Sequence, residues 1–439
     1  MRARGLLRVR INLEVTIFCH DRRMASEEYS QTRNAWNSWI FPVLIVFALA
    51  PLVTGFATYL DPELGPHRRP MVMVQFSLAA YFVALVAAKK LTLIKPSFWV
   101  LFSAAILVSV WFASSRLSAT SQVWAEYYLA RNLALLTIGW MVYSMCAARS
   151  GNAIRSILIA LMAGSSLQLL LSAFVISIEA GNPNYDWQGF YVGVTHVRHL
   201  SYLAMIQIAL AAGLFTTEPK GIIRNCYCAA LLLGFYFACL SGGRVVIVAG
   251  VLVAFWCVFV GWPELRKQNF FLTASVLITA IALSLLYVPP NEQWGIVRLE
   301  LGYYGRSGEG QFAGDRNLLW ARAIELFKDH PWIGHGEGQF GRLADVRWHA
   351  NHPHNTLLQM LVAWGIIGTA AALYLFGYAI APVWRQLARV PELAVAPCAV
   401  VAGLSAVSLL DGPFFYAYPA MIFVIAAVLI RAAASEVTA

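Results

Sequence analysis

Two arginines and one histidine stand out in the sequence as residues able to do chemistry. Arg198 lies in HVRHLSYL, Arg244 follows Ser-Gly-Gly, and His354 lies in WHANHPHNTLL. Each stands where an apolar run begins, although the three runs are far apart in the chain. Guanidinium groups bind phosphate oxygens through paired hydrogen bonds, and a neutral imidazole can accept a proton near pH 7. The trio therefore predicts a site that binds phosphate and transfers a proton.

Each of these residues also has an interpretation without catalysis. An arginine at the end of a membrane span can simply reach lipid phosphates, and a histidine in an interfacial loop can simply be hydrogen-bonded. A functional reason is favoured for the arginines, since arginine is disfavoured on the outer face of a membrane. Gly242 and Gly243 before Arg244 would permit a close backbone approach, or they break a helix.

Two groups of residues raise the question of a bound metal. His349, His352 and His354 lie within six residues, but zinc would need further ligands of fixed geometry and no cysteine is near. The stretch Asp61-Pro62-Glu63 could hold a divalent ion at the first outer turn, although its proline favours a plain turn. We expect no metal and no other cofactor, so arginines must neutralise a bound phosphate.

The elements that position these residues are membrane spans. Of 439 residues, 59% are hydrophobic and 12% are charged, about half the ~25% charged fraction of soluble proteins. This composition excludes a soluble enzyme, a secreted disulfide scaffold and a disordered chain. One membrane span takes ~20 apolar residues, so the hydrophobic residues of this chain suffice for about a dozen spans. The seven cysteines form no CxxC pair and resemble small hydrophobic residues of helices.

The apolar runs predict an all-α polytopic membrane protein with about twelve transmembrane helices. The expected spans are 39–59, 71–88, 97–113, 127–146, 155–178, 200–216, 222–240, 245–262, 270–288, 356–380, 395–411 and 414–431. Residues 39–288 thus hold nine spans and residues 356–431 hold three. Between them lies a long loop, 289–355, and the tails are 1–38 and 432–439. The chain could start at Met24 instead of Met1.

The distribution of basic residues predicts the orientation. Five of the six lysines, all except Lys328, fall on one face together with most arginines of the turns. By the positive-inside rule this face is cytoplasmic. An even number of spans then places both termini in the cytoplasm, and the loop 289–355 and the three candidate residues on the outer face.

The long loop contains one predicted amphipathic helix. Asp315 has the position of an N-cap, and His330-Pro331 would end the helix after Asp329. Its apolar face would consist of Leu319, Trp320, Ala323, Ile324 and Phe327. We expect this helix to rest on the membrane surface or on the spans, and the loop to hold His354 near Arg198 and Arg244.

One stretch of the sequence resembles a known family. His354-Asn355, nine residues, and then Gly365-Ile366-Ile367-Gly368 resemble the His-Asn-x9-Gly-x-x-Gly motif of bacterial O-antigen ligases. The preceding run, RNLLWARAIELFKDHPWIGHGEGQF, begins at Arg316 and is similar to the segment before that motif across the wider O-antigen ligase and polymerase superfamily.

A second, shorter resemblance concerns the start of the sixth span. Arg198 to Tyr202, or the offset His199 to Leu203, resembles the Arg/His-x3-Leu element of the ligases. Tyrosine stands in the leucine place after Arg198, so either Arg198 or His199 is the matching position. His199 is therefore a secondary candidate for the site. The other secondary candidates are Arg316, Asn355 and His352.

The resemblance implies a glycosyl transfer at the periplasmic face of a bacterial inner membrane. The donor would be O-antigen on undecaprenyl pyrophosphate, and the acceptor a sugar hydroxyl of lipid A–core. Arg198 and Arg244 would stabilise the charge of the departing pyrophosphate, and His354 would act as general base on the hydroxyl. Direct attack by the acceptor would invert the anomeric centre. Membrane lipids surround such a protein, and no nucleic acid is expected as a partner.

Two other functions remain open from the sequence. A polymerase or a protein O-oligosaccharyltransferase of the same superfamily would use the same donor. A transporter or flippase belongs to another class, and such proteins usually carry ionisable residues near the middle of broken helices. Here the spans contain few charges and the polar residues gather on one side. The absence of nucleotide-binding motifs also argues against a transport ATPase.

Overall fold

The computed structural model of the protein describes ten stretches of the chain. They are residues 40–60, 69–147, 151–182, 184–185, 187, 197–289, 294–296, 316–345, 350–384 and 390–436. The chain divides into two units, Met1–Val46 and Phe47–Ala439. Of the first unit only residues 40–46, the beginning of the first helix, are described, and the packing and the site described below belong to the second unit.

The described residues form helices joined by turns, and no strand occurs among them. The helices are α1 (Ile40–Leu60), α2 (Arg69–Ala87), α3 (Phe98–Leu117), α4 (Gln122–Ala147), α5 (Gly151–Glu179), α6 (Val197–Thr216), α7 (Ile222–Leu240), α8 (Arg244–Val260), α9 (Arg266–Leu286), α10 (Arg316–Asp329), α11 (Phe340–Leu343), α12 (Thr356–Trp384), α13 (Glu392–Ser408) and α14 (Ala417–Glu436). Short 3-10 turns lie at Pro263–Leu265 and Pro413–Phe415.

Ten of these helices are long and apolar enough to cross a membrane, which confirms an all-α polytopic membrane protein. Each of the twelve apolar runs read from the sequence coincides with a helix. Two of these helices, α8 and α13, have 17 residues each and are shorter than the ten. At ~1.5 Å per residue, they are slightly shorter than a ~30 Å hydrocarbon core.

The bundle has two chemically different ends. At the end that contains His354, here called the His354 end, Gln339 accepts hydrogen bonds from Thr120 and Ser121 that join the long loop to the α3–α4 turn. The opposite end is closed by other contacts, such as the ion pair of Arg155 with Glu218. Five of the six lysines lie in or beside the turns of the opposite end, and Lys328 lies on α10 at the His354 end. The predicted orientation in the membrane stays a prediction.

Helix α6 forms the centre of the bundle. Every residue of α6 is buried except Arg198 and His199, and the helix packs against α5, α7, α8 and α13. The approach to α13 is close, because a Cβ at Gly213 would lie 2.3 Å from the Cα of Ala396. Two polar side chains are therefore held at the His354 end by the most enclosed helix of the bundle.

Helix α10 rests on the bundle. It buries Leu319, Ala323 and Leu326 in a cluster with Phe340 and Val362. The helix ends at Asp329, as predicted from His330-Pro331. The predicted apolar face was wrong in one position, since Ile324 is 43% exposed. The buried residues follow an i, i+4, i+7 spacing that turns the face toward Leu326 instead, with Trp320 and Phe327 partly buried at its margins. The proposed N-cap Asp315 lies outside the described residues.

The Gly-x-x-Gly pair interrupts α12. Gly365 has φ +62°, so the helix opens there. The freed carbonyls of Val362 and Ala363 accept hydrogen bonds from the amides of His335 and Gly336, at 2.8 and 2.9 Å. This pairing joins the loop segment 331–336 to the opened turn of α12.

The two motif glycines have separate packing reasons. A Cβ at Gly365 would lie 2.3 Å from the backbone carbonyl carbon of Trp332. A Cβ at Gly368 would lie 2.9 Å from the side chain of Val110 on α3. The glycines therefore let the long loop and α3 approach α12, whose first turn follows His354-Asn355.

Candidate active site

His354 and Asp411 form the centre of the site. The His354 Nδ1 lies 2.7 Å from the Asp411 Oδ1, and the two side chains are 18% and 11% exposed. Asp411 lies in the turn between α13 and α14, and its Oδ1 also accepts the amide of Gly412 at 2.9 Å. A carboxylate can only accept, so the neutral ring carries its proton on Nδ1. The lone pair of His354 is then on Nε2, where it can accept a proton.

The surroundings keep Asp411 ionised. Burial alone would raise the pKa of its carboxyl, but the hydrogen bond from His354 and the interactions with His354, Arg198 and His352 hold the pKa well below its usual range. A carboxylate that stays charged can stabilise the imidazolium formed when Nε2 takes a proton. The pair therefore has the arrangement of a general base with its orienting acid.

Asn355, a secondary candidate, has a positioning role. Its Oδ1 accepts the amide of Leu358 at 3.0 Å, which caps the first turn of α12. Its Nδ2 donates to the carbonyl of Leu409 at 3.0 Å. One side chain thus fixes both the helix that follows His354 and the turn that carries Asp411.

Three arginines at helix starts are linked electrostatically to this pair, Arg198 and Arg316 through Asp411 and Arg244 through Arg316. Arg198 lies in the first turn of α6, and Arg244 and Arg316 are the first residues of α8 and α10. Arg316 interacts with the charges of Asp411, Arg198 and Arg244. Burial lowers the pKa of Arg316; Asp411 opposes this shift, and the two other arginines add to it. Arg316 is therefore close enough to Arg198 and Arg244 to be repelled by both, and the three partly buried cations form a positive site for an anion.

His199 lies beside the site as well. Its ring centroid lies 4.1 Å from that of Tyr416 and 5.9 Å from that of Tyr202. Tyr202, in the leucine place of the matched element, is buried and interacts with Asp411. Both residues that could match the Arg/His-x3-Leu element therefore face the site, Arg198 through its charge and His199 through ring packing.

The remaining candidate, His352, is buried between Tyr416 and the backbone of His354. Its Nε2 lies 2.9 Å from the Tyr416 hydroxyl, and its Nδ1 accepts the backbone amide of His354 at 3.2 Å. His349 and the stretch Asp61-Pro62-Glu63 lie outside the described residues.

A metal ion is geometrically conceivable at this place. His352, His354 and Asp411 offer ligand atoms that lie within 4.8 Å of one another. Three atoms of this group already make hydrogen bonds: His354 Nδ1 with Asp411 Oδ1, and His352 Nδ1 with the His354 amide. An ion bound through these three atoms would have to displace these bonds. That no metal is needed stays a prediction.

A buried polar layer supports the site from the side of α4. Arg131 donates to the carbonyl of Phe415 at 2.8 Å, in the turn that carries Asp411. Glu337, in the loop segment that precedes α11, accepts a bond from Gln359 at 3.2 Å. Burial raises the pKa of Glu337, and the charge of Arg131 opposes that shift. The layer connects α4, the long loop and the 409–416 turn.

Sequence reasoning missed Asp411, Tyr416 and Arg131. Asp411 is the one acidic residue between Glu392 and Glu436 and ends a predicted span on the same face as His354. The criterion that selected Arg198, Arg244 and His354 would have found it if acidic residues had been included. No comparable signal marks Tyr416, which lies among several aromatic residues.

The comparisons with known proteins concern part of the chain. Residues 229–373 match a family model described as O-antigen ligase. The O-antigen ligase of Pseudomonas aeruginosa is 29% identical over 192 residues, which are 43% of this chain and 42% of that protein. The match thus spans less than half of that relative's length. Over residues 229–373, which include His354-Asn355 and both glycines of α12, the resemblance of this chain to the O-antigen ligase family is confirmed.

Proposed function

We propose that this protein is an O-antigen ligase. It transfers O-antigen from undecaprenyl pyrophosphate to a sugar hydroxyl of lipid A–core, without a metal and with inversion at the anomeric carbon. The observation that carries the proposal is the bond between His354 Nδ1 and Asp411 Oδ1 at 2.7 Å, beside three arginines that interact with this pair or with each other. A proton acceptor and an anion-binding site are thus adjacent.

The proton transfer uses the free nitrogen of His354. The acceptor hydroxyl gives its proton to Nε2 while its oxygen attacks the anomeric carbon of the donor sugar. The bond from that carbon to the pyrophosphate oxygen breaks, and its electron pair stays on the phosphate. Asp411 stabilises the imidazolium, and Nε2 later gives the proton to the released pyrophosphate or to water. A positioned base of this kind contributes ~10²–10⁴-fold to the rate.

The arginines bind the pyrophosphate of the donor. Pyrophosphate is charged before the transfer and gains charge as the sugar leaves, so Arg198 and Arg244 contribute to binding and to transition-state stabilisation. Arg316 is close enough to both to join them. The donor is already activated by its pyrophosphate, so the reaction needs no nucleotide.

The membrane arrangement follows from the lysine distribution. Twelve spans, with α8 and α13 as the two short ones, leave the tails 1–38 and 432–439 in the cytoplasm of a Gram-negative cell. The His354 end and the loop 289–355 then face the periplasm of the inner membrane. Isoprenoid and lipid A tails lie in the surrounding bilayer, from which both substrates reach the site.

Purified protein tests this proposal. It is mixed with lipid-linked O-antigen and lipid A–core in excess EDTA, next to a His354→Ala preparation. We expect a ladder of lipid A–core carrying O-antigen from the unchanged protein only. Extension of the lipid-linked chain would instead identify a polymerase. Transfer of the glycan to a polypeptide would identify a protein O-oligosaccharyltransferase. No transfer to any acceptor, with movement of the lipid-linked glycan across vesicle membranes, would identify a flippase.

A further inference from the structure

The hydrogen bonds of His352 define which of its nitrogens carries a proton. The backbone amide of His354 points at Nδ1 from 3.2 Å. An amide can only donate, so Nδ1 must present its lone pair. The neutral ring therefore carries its proton on Nε2, which lies 2.9 Å from the Tyr416 hydroxyl and donates to it. His352 is thus an acceptor toward His354 and a donor toward Tyr416.

The ring of His352 has little freedom to leave this position. The side chain is buried, and its centroid lies 5.2 Å from that of Phe415. A Cβ at position 412 would lie 2.4 Å from its Nδ1, so the glycine after Asp411 leaves room for the ring. The turn that orients His354 through Asp411 therefore also holds His352.

The bond to the amide supports an uncommon backbone conformation at His354. Its φ is +53°, in the left-handed region that few residues other than glycine adopt. Such conformations persist where the surroundings hold them, and they cluster at active sites. Pro353, between the two histidines, fixes its own φ by its ring. The His352 acceptor closes this three-residue turn onto the amide of His354.

We propose that His352 is a positioning residue that uses its Nδ1 lone pair to hold His354 in the left-handed conformation in which Nδ1 of His354 reaches Asp411. This proposal rests on the proposed role of His354 as the base. It assigns no proton transfer and no metal ligation to His352. The part of the ring that matters is the acceptor nitrogen, and the bond to Tyr416 serves to keep the ring oriented.

Two substitutions by amide side chains distinguish the roles of the two ring nitrogens of His352. In His352→Asn the amide oxygen takes the place of Nδ1 and can accept the His354 amide. In His352→Gln the longer side chain places its amide where Nε2 was and leaves the His354 amide without its acceptor. His352→Ala removes both. His330→Asn is the matched control, because His330 is exposed and outside the site.

The measurement is ligation with purified protein, with kcat and both KM values, and thermal unfolding of each variant in detergent. We expect His352→Asn to keep at least a third of kcat, and His352→Ala and His352→Gln to lose about 10- to 100-fold, the range expected when a buried donor loses its partner. The donor KM should change little. Where His352→Ala does not fold, the asparagine and glutamine variants decide.

Three results would overturn the inference. The first is an active His352→Gln variant together with an inactive His352→Asn variant. The second is a kcat of all three variants within threefold of that of the unchanged protein. The third is an equal loss of kcat in all three variants. The last would mean that an imidazole itself is required, as a proton carrier or a metal ligand. His354→Ala, measured alongside, distinguishes the two proposals: if it keeps ligating, the proposed function fails, and if it is inactive, only the role of His352 is in question.

Discussion

Asp411 follows His354 by 57 residues, and its Oδ1 nevertheless lies 2.7 Å from the Nδ1 of the histidine. Two separate contacts make this possible. Asn355 donates to the carbonyl of Leu409, and Arg131 donates to the carbonyl of Phe415. The turn that carries Asp411 is therefore tied on both sides, which keeps one carboxylate oxygen directed at the imidazole.

Replacing Asp411 by asparagine should lower kcat by at least tenfold. The amide has no charge to stabilise the imidazolium, and its NH2 group can favour the wrong tautomer of His354. The donor KM should change less, since the arginines remain. Steady-state ligation with purified protein measures both constants. Unchanged kcat in Asp411→Asn would show that the pair does not orient the base.

Removing an arginine should affect donor binding first. Arg198→Ala or Arg244→Ala should raise the donor KM by about 10- to 100-fold, since a hydrogen bond to a charged group is lost. Lysine at either position should restore part of the donor binding, because lysine keeps the positive charge but lacks the planar, two-pronged guanidinium group. Arg116→Ala is the control, since that arginine is exposed in an ion pair with Glu126. An equal effect of Arg116→Ala would point to general surface charge.

The glycines of α12 predict a stability difference that can be measured without substrate. In Gly365→Ala the new Cβ would lie 2.3 Å from the carbonyl carbon of Trp332, at a φ of +62°. Gly377 lies on the same helix, and nothing lies within 4 Å of a Cβ there. Thermal unfolding in detergent should show a large loss for Gly365→Ala and little change for Gly377→Ala. Similar midpoints would contradict the pairing of the loop with the opened helix.

The orientation can be tested with a matched pair of lysines. Lys328 is exposed on α10, and Lys220 is exposed in the turn between α6 and α7. In a background without the native cysteines, Lys328→Cys should react with a membrane-impermeant thiol reagent from the periplasm. Lys220→Cys should react only after the inner membrane is opened. The reverse pattern would place the site in the cytoplasm and remove its access to periplasmic acceptors.

Much of this arrangement can be predicted from local sequence. Apolar runs predict the helices, because segments exposed to lipid require apolar side chains. The position of polar residues at span ends identifies Arg198, Arg244 and His354 as candidates. What could not be predicted depends on contacts distant in sequence. The opening at Gly365 needs the amides of the 331–336 segment, and the buried side of α10 depends on where α12 lies beneath it. Asp411 was missed because acidic residues were not included among the polar residues considered at span ends, although it ends a predicted span on the same face as His354.

The turnover of His354→Ala at saturating donor tests the central claim most directly. Rapid mixing of the preloaded protein with lipid A–core gives the rate of a single transfer, and binding of the lipid-linked donor is measured on the same preparation. We expect the transfer rate to fall by ~10²–10⁴-fold, with donor affinity and unfolding midpoint close to those of the unchanged protein. A transfer rate within threefold of the unchanged protein would contradict the assignment of His354 as the base.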